Sequence, residues 1–181
     1  MKNYIVIILI SLLLLLQGCS GCSNSGKRRE QLKSTSDKIN NDTFRSTKDK
    51  FSGKTIVSMT KEGGVYRVPV TINGAEMLFI FDTGASLISI SNVEASYLYK
   101  QGTLTIDDVL DKANFVDANG DISPGVIINL KNVKIGDRTI HNVKASVVNN
   151  SKAPLLFGQS ALEEFGNFSI NYVTSTITFD N

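Results

Sequence analysis

Apolar and polar positions divide the chain into three unlike stretches. Tyr4 to Leu16 is apolar except for Ser11. Ser20 to Lys54 is polar, with Leu32, Ile39, Phe44 and Phe51 widely spaced. From Thr55 to Asn181, short apolar runs alternate with glycine- and asparagine-bearing turns. Val65 to Ile72 is rich in β-formers and is followed directly by Asn73-Gly74, a dipeptide suited to two successive positive-φ positions in a hairpin. The return run, Met77 to Phe81, is almost wholly apolar and predicts a strand buried on both faces. Leu87, Ile88 and Ile90 predict another strand.

Two helices are expected in the middle of the chain. Ser91-Asn92-Val93-Glu94 has capping-box spacing ahead of Ala95 to Lys100. Thr105-Ile106-Asp107-Asp108 predicts a second helix reaching about Lys112, with Asp107, Asp108 and Asp111 on a solvated face. Strands then resume: Asn114 to Val116 and Val126 to Leu130 around Asp117 to Asp121, and Val133 to Ile135 and Thr139 to Val148 around Gly136-Asp137-Arg138. Leu155 to Phe157 runs into Gly158. A helical turn at Ser160 to Phe165 precedes strands at Asn167 to Tyr172 and Thr176 to Phe179. Short strands at roughly ten-residue spacing with glycine turns predict an all-β sandwich or barrel.

Composition narrows the chemistry. The 181 residues include one histidine, His141, and two cysteines, Cys19 and Cys22, both near the N-terminus. The folded stretch therefore lacks a Cys/His zinc set, an internal disulfide and a cysteine nucleophile. The formal charge of +2 hides an uneven distribution. Ser20 to Lys54 holds nine basic and four acidic residues, whereas Thr55 onward holds nine basic and thirteen acidic ones. An acidic folded part without tryptophan offers no face for nucleic acid.

The N-terminal apolar run is shorter than the roughly 20 residues needed to span a bilayer and fits a secretory signal flanked by Lys2. Leu16-Gln17-Gly18-Cys19 resembles the lipobox of bacterial lipoproteins, although Gln17 stands where a small or β-branched residue is usual. That resemblance implies a signal peptide over 1–18 and a lipid anchor to the membrane at Cys19. Ser20, by analogy with enteric sorting, points to the outer membrane. Residues 19–54 then read as a flexible basic tether, and 55–181 as the functional domain.

The apolar run Leu78 to Phe81 stops abruptly at Asp82-Thr83-Gly84-Ala85-Ser86. A carboxylate at the tip of a buried strand requires donors, which the Thr83 hydroxyl and the N–H groups of a tight turn at Gly84 could supply. Further along come Val116-Asp117-Ala118-Asn119-Gly120 and Leu155-Leu156-Phe157-Gly158-Gln159-Ser160-Ala161-Leu162. In this order and spacing, the three elements resemble the retropepsin-like aspartic peptidases, and the likeness covers most of Gly64 to Phe179. It implies a retropepsin-like closed β-barrel or sandwich with one or two short helices and a flap hairpin whose tip is Asn119-Gly120. It also implies that Asp82 is the catalytic carboxylate, that Thr83 and Gly84 shape its turn, and that Gly158 closes a second loop beneath it.

Aspartic peptidases activate water between two carboxylates sharing a proton. This chain has one Asp-Thr-Gly, so the resemblance implies a homodimer acting on peptide or protein substrates, without metal or organic cofactor. Ile80, Leu156 and Phe157 could be core or subsite residues, and core is the simpler expectation. His141 lacks a Gly-x-Ser-x-Gly elbow and reads as a surface residue rather than a triad member. The expectation is an aspartic endopeptidase. Its alternative is a non-catalytic envelope lipoprotein of the same fold that binds peptides or dimerises.

Overall fold

The computed structural model describes residues 44–116 and 119–180. Cys19, Cys22, the signal and most of the spacer lie outside the described residues, as do Asp117 and Ala118. Phe44–Asn181 forms one compact unit. Its strands are β1 (Thr47–Lys48), β2 (Thr55–Ser58), β3 (Thr60–Glu62), β4 (Val65–Ile72), β5 (Ala75–Phe81) and β6 (Ile88–Ser91). After helix α1 (Asn92–Lys100) come β7 (Val109–Val116), β8 (Ile122–Ile135), β9 (Arg138–Val148) and β10 (Leu156–Phe157). Helix α2 (Gln159–Phe165) then leads to β11 (Phe168–Asn171) and β12 (Thr176–Phe179).

Six strands close a barrel. They run β9-β6-β10-β5-β4-β8, and β8 pairs back onto β9. Strands β1, β3 and β7 extend the sheet from β9, β4 and β8, while β11, β12 and β2 form a separate three-stranded sheet. The expected sandwich or barrel is thus resolved as a barrel with a small additional sheet. Alternation explains the core: Val68, Val70 and Ile72 of β4 point inward and are fully buried. Phe79, Ile88, Ile90, Leu130, Ile140 and Phe157 complete the same interior. Each such buried side chain contributes on the order of 2 kcal/mol of apolar transfer.

Local chemistry sets the corners. Asn73 and Gly74 take φ of 48° and 92°, as two-residue hairpin loops require. Asn73 also exchanges hydrogen bonds with Asn132: its N–H donates to the carbonyl at 2.8 Å, and its Oδ1 accepts from the N–H at 2.9 Å. Asn142, at φ 55°, lies opposite the middle of β8. Inward positions of β9 shift there from Arg138 and Ile140 to Val143, Ala145 and Val147, and β8 shifts in step. One left-handed residue thus lets a long hairpin serve two walls.

Three expectations are corrected. Only one helical turn, Ile106–Asp108, follows Thr105, and β7 begins at Val109. Pairing with β8 along Val109 to Val116 overrides the helical pattern. Asp108 is accordingly not on a solvated face: it is 5% exposed, accepts from the Thr105 N–H and hydroxyl, and meets Lys131 Nζ at 3.0 Å. β5 is not buried on both faces either, because Leu78 remains 49% exposed while Phe79 is buried. Finally, the domain begins before Thr55. Thr47 and Lys48 pair with His141 and Ile140, Phe51 stacks on Phe165, and buried Arg138 donates to the Gly53 carbonyl at 2.8 Å. Edge pairing through the backbone leaves no hydrophobic pattern to read.

Candidate active site

The strand β5 delivers Asp82 to a loop that returns as β6, and the two residues of β10 thread between them. β10 runs parallel to β5, with Leu156 opposite Ile80 and Phe157 opposite Phe81, and antiparallel to β6. Ile80 N–H donates to the Leu155 carbonyl at 2.8 Å, and Asp82 N–H to the Phe157 carbonyl at 3.2 Å. Gln159 and Ser160 donate their N–H groups to the Ala85 and Ser86 carbonyls at 2.8 and 3.0 Å. Backbone bonds therefore fix the carboxylate loop from both sides.

Two glycines make the approach possible, and neither needs a positive φ. A Cβ on Gly158 would lie 2.2 Å from the Leu87 carbonyl oxygen and 2.7 Å from that of Ala85, so only glycine fits under the loop. Gly84 N–H donates to Asp82 Oδ1 at 2.8 Å, and a Cβ there would come within 3.1 Å of the same oxygen. The expected donor to the carboxylate is thus the Gly84 amide. Thr83 is exposed and offers its carbonyl to Gln159 Nε2 at 2.7 Å. Among the described residues, Asp82 Oδ2 has no hydrogen-bond partner.

Asp82 is half-buried rather than deeply buried. It opens on a cavity of about 350 Å³ lined also by Met59, Val65, Tyr66, Ile80, Phe81, Ile170 and Tyr172. Ile80 belongs to this wall, which corrects its assignment to the core. Phe157 is fully buried, as expected, and Leu156 is half-buried. The structure brings Asp82, Thr83, Gly84 and Gly158 together. Asn119 and Gly120 form the tip of the β7–β8 hairpin, with Gly120 at φ 89°, and do not line this cavity. Cys19 lies outside the described residues.

Sequence reasoning missed Gln159 and Ser160. Ser160 Oγ accepts from Ile88 N–H at 3.0 Å and donates to the Lys144 carbonyl at 3.2 Å, stitching α2 to β6 and β9. Their position just after Gly158 was the available signal. His141 is far from a triad: its ring nitrogens face Asn132 Oδ1 at 2.7 Å and Asp49 Oδ1 at 3.2 Å. Among the described residues, no three His, Cys, Asp or Glu side chains cluster as metal ligands would.

Comparison with known proteins places this geometry. The profile of the family described as "gag-polyprotein putative aspartyl protease" matches residues 68–164, more than half of the chain. The fold is similar to the crystal structure of a retropepsin-like aspartic protease from Rickettsia conorii. The TM-score is 0.54 and the identity 25%, covering 71% of this chain and 99% of that one. It is also similar to the retroviral protease-like domain of Ddi1 from Leishmania major, with TM-score 0.47 and 17% identity over 65% of this chain and 89% of that one. A search of curated proteins returns no match. The profile match, running from the barrel strand β4 through the Asp82 loop to α2, shows that the chain belongs to the retropepsin-like aspartic protease family.

Proposed function

We propose that this protein is an aspartic endopeptidase that acts as a homodimer, with Asp82 of each subunit contributing to one carboxylate pair. The observation that carries this reading is the state of Asp82 itself. One oxygen is committed to the Gly84 amide, the other has no hydrogen-bond partner among the described residues, and the loop is held by backbone bonds on both sides. A single carboxylate can act as base or acid, but peptide hydrolysis needs both roles at once. A two-fold axis beside Asp82 supplies the second. The ionised member takes a proton from water as the water oxygen attacks the peptide carbonyl carbon, while the protonated member donates to the carbonyl oxygen. Collapse of the resulting diol breaks the C–N bond and sends a proton to the leaving amine.

The test is cleavage of a diverse peptide pool by the Phe44–Asn181 unit across pH, with Asp82→Asn alongside. Loss of at least about 10³-fold in rate is expected for the variant. Equal cleavage by both, or none by either, favours the non-catalytic, peptide-binding reading. We also propose that Cys19 is lipidated and holds the domain at the bacterial outer membrane through the spacer. Labelled palmitate incorporated by the full chain, and absent in Cys19→Ser, checks that step.

A further inference from the structure

The loop that carries Asp82 is a β-turn. Ala85 N–H donates to the Asp82 carbonyl at 3.3 Å, so Thr83 and Gly84 are the two central residues. The peptide joining them presents a carbonyl at Thr83 and an N–H at Gly84, on opposite sides of one rigid plane. Both ends are bonded. The Gly84 N–H donates to Asp82 Oδ1 at 2.8 Å, and the Thr83 carbonyl accepts from Gln159 Nε2 at 2.7 Å. A carbonyl oxygen only accepts, so the Gln159 amide must face it with its NH2 group.

The turn bond is compatible with two settings of that plane. They are related by a flip of about 180°, and the flipped one requires positive φ at the second central residue. Gly84 does not have a positive φ here, but as glycine it can adopt one at little steric cost. A side chain would disfavour the flip, yet a Cβ at Gly84 would come within 3.1 Å of Asp82 Oδ1. The residue type that lets the amide reach the carboxylate thus also leaves the peptide free to turn away from it. A bond from outside the turn has to decide between the two settings.

We infer that Gln159 is a positioning residue for Asp82: its side-chain amide locks the Thr83–Gly84 peptide in the setting that aims the Gly84 N–H at the carboxylate. The geometry stands by itself, while its effect on rate rests on the peptidase reading above. Gln159 suits the task because its own backbone is fixed first. Its N–H donates to the Ala85 carbonyl at 2.8 Å, and Gly158 before it is buried beneath the same loop. One residue therefore grips the carbonyls on either side of Gly84. A flip would carry the Thr83 oxygen away from Nε2 and break both bonds of the plane at once. Accepting a hydrogen bond at the carbonyl also polarises the peptide and strengthens the Gly84 N–H as a donor. The Gln159 side chain is exposed, so its replacement reaches the turn without emptying the core.

Thr-Gly occurs once in the sequence, so isotopic labelling of threonine carbonyl carbon and glycine nitrogen selects one amide signal, that of the Thr83–Gly84 peptide. Asp82→Ala removes the acceptor and marks where that proton resonates unbonded. Gln159→Met keeps side-chain length and helix-forming character but has no donor. Its signal should move most of the way to the Asp82→Ala position, with the parent's melting temperature retained. In the same variant kcat should fall about tenfold at constant KM, because the plane serves the reacting carboxylate rather than substrate contact. Gln159→Lys keeps a donor at similar reach and should bring back most of the lost kcat and the bonded signal. An unmoved signal in Gln159→Met, or an equal displacement in both variants, overturns the role, and cleavage by the parent then leaves the peptidase reading standing. A signal that moves in Gln159→Met and returns in Gln159→Lys, in a protein that cleaves nothing, upholds the positioning and removes the peptidase reading instead.

Discussion

The loop carrying Asp82 and the hairpin of β7 and β8 are both built from β-strands, yet they are held in opposite ways. Around Asp82, backbone groups on β10 and α2 fix the loop, and the strands fit so closely that Gly158 has no room for a methyl group. The hairpin is clasped near its middle, where a Cβ on Gly125 would lie 2.2 Å from the Val147 carbonyl oxygen and 2.7 Å from the Phe115 ring. Toward its tip, Val116 and Ile122 are cross-strand partners and stand 50% and 68% exposed. Apolar exposure therefore rises from the Asp82 loop toward Val116 and Ile122. A group that must hold a proton in place needs the first arrangement. The second arrangement would suit a segment that covers an extended peptide, since its exposed apolar side chains are available to bind one.

The sharpest way to break the tight region is Gly158→Ala. The new methyl would press on two backbone oxygens that cannot move without displacing the Ala85–Leu87 segment. Destabilisation of about 3 kcal/mol is expected, together with loss of most peptidase activity even at temperatures where the variant stays folded. Thermal melts and peptide cleavage on the same preparation check this. Native stability in Gly158→Ala would show that the loop is looser than its geometry indicates.

The same operation on the loose region should separate binding from folding. Replacing Val116 and Ile122 together by threonine keeps β-branched shape and strand pairing while making the exposed pair polar. Stability is expected to change by less than about 0.5 kcal/mol, as for exposed positions generally. If the hairpin covers a bound peptide, KM should rise about tenfold with little change in kcat, the pattern of lost apolar contact to substrate rather than to the reacting atoms. A fall in kcat at constant KM would instead tie the hairpin tip to the chemistry.

These two regions were also unequally legible in the sequence. Asp82-Thr83-Gly84, Asn73-Gly74 and the Ser91–Glu94 cap each use a local interaction. Ser91 Oγ, for instance, accepts the Val93 N–H at 3.0 Å and meets Glu94, so spacing alone carries the information. Gly158 was found through its apolar neighbours, but its reason, contact with carbonyls some seventy residues away, exists only in the folded chain. The root of the hairpin misled in the other direction. Thr105 to Lys112 has the residue types of a capped helix, yet only the turn at Ile106–Asp108 is helical, and the strand from Val109 onward is dictated by β8, which no local pattern announces. Thr47–Lys48 pairs with β9 through main-chain groups that any sequence possesses.

That root supplies the smallest effect and the finest contrast. Asp108 caps the turn that launches β7. Burial works against its charge, but Lys131 and the Thr105 N–H and hydroxyl outweigh burial and hold the carboxyl below the usual aspartate range. A carboxylate whose pKa is lower in the folded state contributes stability that is complete above its unfolded value of about 4. That contribution is lost as pH falls through the folded value. Asp108→Asn keeps the shape, loses the ion pair, and should cost about 1–2 kcal/mol at pH 7. The gap between parent and variant should narrow steadily as urea melts are repeated from pH 5 down to about pH 2. A gap that stays constant across that range would show that Asp108 acts through shape alone. If the root is anchored by this charge, the variant should also lower the amide-exchange protection of β7 more than that of β5. The hairpin would then loosen from its base while the loop bearing Asp82 keeps its geometry.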